Sequence, residues 1–133
     1  LTMNDLVKRK WAQALRSGMY DQSKLALRKE DGFCCLGVLC DVLSGEVGGK
    51  WKHTSSDLED LEFHTAASEH PVTESLPKPV QKRAELDEPN PQVPVPENAS
   101  DEYFRDESTT TLAELNDQGY SFEEIADIIE KEL

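Results

Sequence analysis

Three cysteines and three histidines are the residues whose types could make this chain reactive. Cys34, Cys35 and Cys40 all fall inside Asp31 to Leu43, its densest apolar run, where Asp41 carries the one charge between Phe33 and Leu43. If that run is a helix opening near Phe33, Cys34 and Cys35 lie in its first turn. Free N–H groups and the helix dipole there lower a thiol pKa and favour the nucleophilic thiolate. A Cys–His enzyme also needs a histidine in reach, and His53, His64 and His70 all sit in a stretch without clear periodicity. The opposing reading is three small buried hydrophobes, the usual state of free cysteine. That reading is favoured: Cys34 and Cys35 are kept as candidate reactive thiols and no catalytic residue is assigned.

Metal and cofactor chemistry find less support. The chain holds no Cys-x-x-Cys pair and no His-x-x-x-His spacing, and adjacent Cys34 and Cys35 cannot both ligate from one helix face. His64 to His70 with Glu69 lacks ligand spacing, and Gly48-Gly49 lacks the Lys-Ser/Thr of a phosphate loop. No metal and no cofactor is therefore expected. On one helix Cys35 and Cys40 stand about a turn and a half apart, too far to bridge. Reduced thiols in a cytoplasmic setting are the simpler expectation. No apolar run approaches the roughly 20 residues of a membrane span, and the first residues lack the basic-then-apolar order of a secretory signal.

The elements that must position these groups are legible at both ends. Met3, Val7, Trp11, Ala14 and Leu15 repeat at helical spacing, predicting a basic amphipathic helix from about Asn4, its cap, to Ser17, closed by Gly18. Leu25 and Leu27 alternate with polar neighbours and suggest a short strand near 24–28. Asp31 is the expected N-cap of the apolar helix 33–44, with Gly45 its terminator; apolar on nearly every side, it belongs at the centre of the core. Lys50 to Lys52 suggests a second strand. From 53 to about 108 the pattern dissolves into an irregular segment holding all seven prolines, apart from a short helix near 77–86. Thr109 or Thr110 then caps a helix through Leu112 and Leu115, Gly119 ends it, and Ser121 with Glu124 forms a capping box for a last helix striped by Ile125, Ile128 and Ile129. The expected fold is α+β and mostly helical, one domain over 1–133. In it the central helix packs with the N-terminal helix and a C-terminal helical hairpin beside a small antiparallel sheet.

Charge separates the two ends. Residues 1–52 hold nine Lys or Arg against six Asp or Glu, and residues 85–133 hold two against fifteen, within a formal net charge of −13. The C-terminal hairpin resembles the opening helices of a helix-turn-helix. Its last helix, however, presents Glu123, Glu124, Asp127, Glu130 and Glu132, and phosphate repulsion excludes direct nucleic-acid binding. The expected partner is instead a basic protein, met by Glu114, Asp117, Glu123, Glu124, Asp127 and Glu130. Mimicry of nucleic acid is a sharper variant of the same idea.

Two stretches carry a resemblance. Trp11 to Gln22 followed by Gly32-Phe33-Cys34-Cys35-Leu36-Gly37-Val38-Leu39-Cys40-Asp41 is similar to a group of small proteins of tailed bacteriophages. Those proteins also carry a Leu-Pro step like Leu76-Pro77 and an ending like Leu115-Asn116-Asp117 with Ser121-Phe122-x-Glu124-Ile125-Ala126. The resemblance implies an accessory protein acting in a bacterial host cytoplasm, without an assigned activity. Together with the charge pattern it favours a non-enzymatic protein that binds a host component, in host takeover or anti-defence. The alternatives are a small-molecule-binding or Cys-dependent protein with a pocket near Cys34, Arg28 and Trp51, and a structural phage component.

Overall fold

A computed structural model describes residues 2–54, 59–66, 71–97, 99, 104 and 107–133. The fold is α+β, with helices predominating and a small antiparallel sheet. Helix α1 (Asp5–Arg16) starts where the Asn4 side chain accepts the Val7 N–H at 3.0 Å, and Gly18 follows it at φ +76°. Its stripe of Val7, Trp11, Ala12 and Leu15 is buried against α2 (Cys35–Val42) and the last helix. Helix α2 is the centre of the core: Cys35, Leu36, Val38, Leu39 and Cys40 are sealed from solvent.

The start of α2 differs from expectation. Asp31 does not cap it, because Gly32–Phe33 is drawn into strand β2, paired antiparallel with β1 (Arg28–Lys29). The Asp31 carboxylate accepts the Ser23 hydroxyl at 2.9 Å instead, and Cys34 is the cap, its Sγ accepting the Gly37 N–H at 3.4 Å. Nor does Gly45 end the helix. The chain passes at Leu43 into a one-turn helix α3 (Ser44–Val47), closed by Gly48 at φ +65°. Ionic contacts clamp this turn, with Glu46 taking Lys10 from α1 and Arg83 from α4 (Lys78–Ala84).

Strand β3 (Gly49–His53) extends the expected 50–52 pairing, and the predicted strand at 24–28 shifts to 28–29. Its partner lies in the segment expected to be irregular. Strand β4 (Asp60–Thr65) sits between β1 and β3 and sets the order β2-β1-β4-β3. Directly opposed residues share a face, so Phe33, Arg28 and Leu61 line up with Trp51 and Phe63 on the side toward α2. Gly49 is required there: a Cβ would enter the Phe63 ring. The Pro-rich stretch also contributes β5 (Gln92–Pro94), which pairs with β6 (Thr109–Thr111).

Helices α5 (Leu112–Asp117) and α6 (Phe122–Glu132) form the expected hairpin. Thr111 rather than Thr109 or Thr110 caps the first, because β6 keeps the chain extended as far as Thr111; Gly119 at φ +99° turns the chain, and the Ser121–Glu124 capping box is fully formed. Phe122, Ile125, Ala126 and Ile129 are buried, many of them toward α1. Among the described residues no helix is long and apolar enough to cross a membrane.

Candidate functional site

Residues distant in the chain, Gln22, Cys35 and Asn116, meet in space. Asn116, fully buried, accepts the Cys35 backbone N–H at 3.2 Å and the Gln22 side-chain amide at 2.9 Å through Oδ1. Its own amide donates to the Ser23 carbonyl at 2.8 Å. Cys35 N–H is one of the donors that a helix start leaves without a partner inside the helix, so the α5 asparagine completes what the Cys34 thiol begins. The next residue, Asp117, accepts the Leu25 backbone N–H at 2.9 Å. These bonds fix the 21–27 loop so firmly that Leu25 is held in left-handed backbone, φ +73°, with its side chain 68% exposed. A bulky residue is rarely found in that region.

Gly37 adds a second close approach. A Cβ there would collide with the Leu27 carbonyl, the same oxygen that accepts the Cys34 N–H at 3.0 Å. Glycine lets the α2 backbone lie directly on the loop.

This clasp determines the chemistry of the thiols. All three cysteines are free and buried. Burial pushes the Cys34 thiol up to about 11, against the opposing pull of the Gly37 N–H. Desolvation pushes Cys35 and Cys40 well above the ordinary range as well. Cys34 does border a cavity of about 440 Å³, with Leu25, Ala26, Glu74, Asn90, Ala113 and Asp117. It stays 4% exposed, and its burial favours the thiol over the nucleophilic thiolate. The expectation of activation by a helix start fails because the low-dielectric surroundings outweigh the few N–H groups.

Arg28 and Trp51, expected beside Cys34, lie elsewhere, on the sheet face around Asp41. Asp41 Oδ2 accepts the Tyr20 hydroxyl at 2.6 Å and Oδ1 accepts the Trp51 indole N–H at 3.1 Å. Desolvation, then the hydrogen bond to Asp41, pushes Tyr20 up to about 12, with Arg28 pulling slightly the other way. Tyr20, Phe33, Trp51 and Phe63 run edge to face with centroids 4.9 to 5.8 Å apart. The Arg28 guanidinium lies 4.6 Å from the Phe33 centroid and 5.5 Å from that of Trp51. Phe33, Trp51, Tyr20 and Arg28 are each only partly covered. In the sequence, Asp41 was visible as the lone charge in an apolar run; its two donors were not.

The acidic candidates divide into two groups. Asp127 and Glu130 both bind Arg16 and so tie α6 to α1, Glu124 is spent on the capping box, and Asp117 holds Leu25. Glu114 is half-buried and accepts the Thr110 hydroxyl at 3.2 Å. Glu123 and Glu132 stand exposed on α6 without an ion pair among the described residues. His64 contacts Glu62 at 2.9 Å and His53 contacts Glu30 at 3.2 Å, while His70 and Glu69 lie outside the described residues. Among the described residues no group of three or more His, Cys, Asp or Glu is arranged to hold a metal ion.

A family model with the description "Domain of unknown function (DUF8296)" matches residues 3–133. No curated protein and no solved structure matches the chain.

Proposed function

The chain belongs to this family, and from that premise we propose that it is a non-enzymatic protein that binds a basic partner through its acidic C-terminal half. The observation that carries the reading is the one-sidedness of α6. Its apolar stripe is buried, and the opposite side presents Glu123, Asp127 and Glu130 to solvent beside Lys131, with Glu132 exposed on the other flank. Arg16 is the only cation paired with that row among the described residues, so most of the negative potential faces outward. Such a surface steers a cationic partner by long-range attraction. The burial and protonation of the three thiols argue against a cysteine enzyme. The resemblance to small proteins of tailed bacteriophages makes a bacterial host component the partner to seek.

The test is capture from bacterial lysate on the immobilised protein at low and moderate salt, repeated with Glu123→Lys/Glu132→Lys. These two carboxylates carry the measurement because reversing them leaves the Arg16 clamp and the capping box intact. The same partner should be retained at low salt, released as salt rises, and lost in the variant. Retention that ignores both salt and charge reversal sinks the reading. Competition by duplex DNA for the captured partner would identify nucleic-acid mimicry as the mode of binding.

A further inference from the structure

Two of the four arginines among the described residues hold carboxylates, and Arg9 is exposed on α1 without an ion pair. Arg16 holds Asp127 and Glu130, and Arg83 holds Glu46. Arg28 is different. It is partly buried on the sheet, its guanidinium rests over Phe33 and Trp51, and no described residue gives its N–H groups a hydrogen bond or ion pair. Two nearby acids form their contacts with other groups. Both Asp41 oxygens are taken by Tyr20 and Trp51, and Glu30, two residues along, is held by His53. A guanidinium immobilised on two aromatic faces has lost much of its conformational freedom already, and its planar fork matches carboxylate and phosphate oxygens.

We propose that Arg28 anchors a binding site for the oxyanion, phosphate or carboxylate, of a small molecule whose apolar part covers the exposed edges of Tyr20, Phe33 and Trp51. The site is assembled from three places in the chain: the Tyr20 loop, the β1–β2 hairpin and β3. Asp41 positions it by holding Tyr20 and Trp51 at either side; its oxygens take these neutral donors and leave the arginine fork without a hydrogen bond from it. The ligand is an anion bound by an acidic protein, so this site is separate from the basic partner of α6. Either reading can fail without the other.

Wild-type protein titrated at constant ionic strength with inorganic phosphate, acetate and phenyl phosphate tests the site. Two signals report on it: the side-chain Nε–Hε resonance of Arg28 and the emission of Trp51, Trp11 being buried and constant. At least one anion should move the Arg28 resonance along a saturating curve while Arg9, exposed on α1, stays still. Phenyl phosphate should bind more tightly than phosphate because its ring meets the aromatic edges. Saturation by phosphate or by acetate alone names the oxyanion class. Arg28→Gln should weaken binding at least about tenfold, with Arg28→Lys between the two because a point charge replaces the fork. Should Arg28→Gln fail to fold, the wild-type resonance and Arg28→Lys decide. Linear responses for all three anions, equal movement of Arg9, or an unchanged midpoint in Arg28→Gln would overturn the proposal.

Discussion

Removing the Asn116 side chain should be among the most damaging single changes outside the apolar core. The amide serves three partners at once, Cys35 N–H, Gln22 and the Ser23 carbonyl, in a position with no solvent exposure. In Asn116→Ala the Cys35 N–H and the Ser23 carbonyl lose this partner. A stranded buried polar group costs about 1–3 kcal/mol. Two such groups, discounted for relaxation and for the Gln22 amide that can turn to solvent, give a loss of about 3 kcal/mol. With a urea m-value of about 2 kcal/mol/M the unfolding midpoint falls by about 1.5 M, and the melting temperature falls by about 10 °C. Asn116→Asp is the sharper control. It keeps the shape and the acceptor but replaces the donor to Ser23 with a buried carboxylate oxygen facing a carbonyl. It should lose at least as much at pH 7. Burial raises that carboxyl's folded pKa, so stability is regained as pH falls below it and lost as pH rises through it. Equilibrium urea unfolding of the three proteins settles the matter. A loss under about 1 kcal/mol for Asn116→Ala, or an Asn116→Asp protein as stable as wild type at pH 7, refutes the clasp.

Gly37→Ala should destabilise by about 1–3 kcal/mol in the same assay, because a Cβ meets the Leu27 carbonyl; helix propensity alone predicts a gain of about 1 kcal/mol, so the sign of the change separates the two arguments. Leu25→Gly should stabilise by about 0.5–1 kcal/mol, since it relieves left-handed backbone at a side chain that buries little; a loss of stability would mean the Leu25 side chain packs more than its exposure indicates. Alkaline pH should unfold the protein. Cys34, ordinarily near 9, is pushed up to about 11 in the fold, and Tyr20 rises from 10.0 to about 12. The unfolded chain then sheds these protons first, and stability, intact below about pH 9, falls as pH climbs toward 11 and 12. A flat melting temperature from pH 8 to 11 contradicts this. At pH 8 the native thiols should react with a disulfide reagent only as fast as the protein opens.

Local chemistry settled much of the architecture from the sequence. The cap at Asn4, the left-handed glycines at 18 and 119, the Ser121–Glu124 box and the stripes of α1 and α6 need only neighbours within a turn or two, so each was readable before any fold was known. The apolar run was legible as the core helix for the same reason, and its all-round burial followed from its composition. Tertiary structure decided where that helix begins. Pairing of Gly32–Phe33 with β1 overrode the local N-cap at Asp31, and β4 emerged from a stretch without strong periodicity because β1 and β3 supply its hydrogen bonds. Function-bearing groups followed the same division. Spacing suggested that Cys34 and Cys35 could be activated, and only the tertiary burial beside the Asn116 clasp pushes their pKa values the other way. Nothing in spacing could bring Tyr20, Arg28, Asp41 and Trp51 together. Their contacts depend on sheet register and on the packing of α2, interactions between residues distant in the chain that no local pattern encodes.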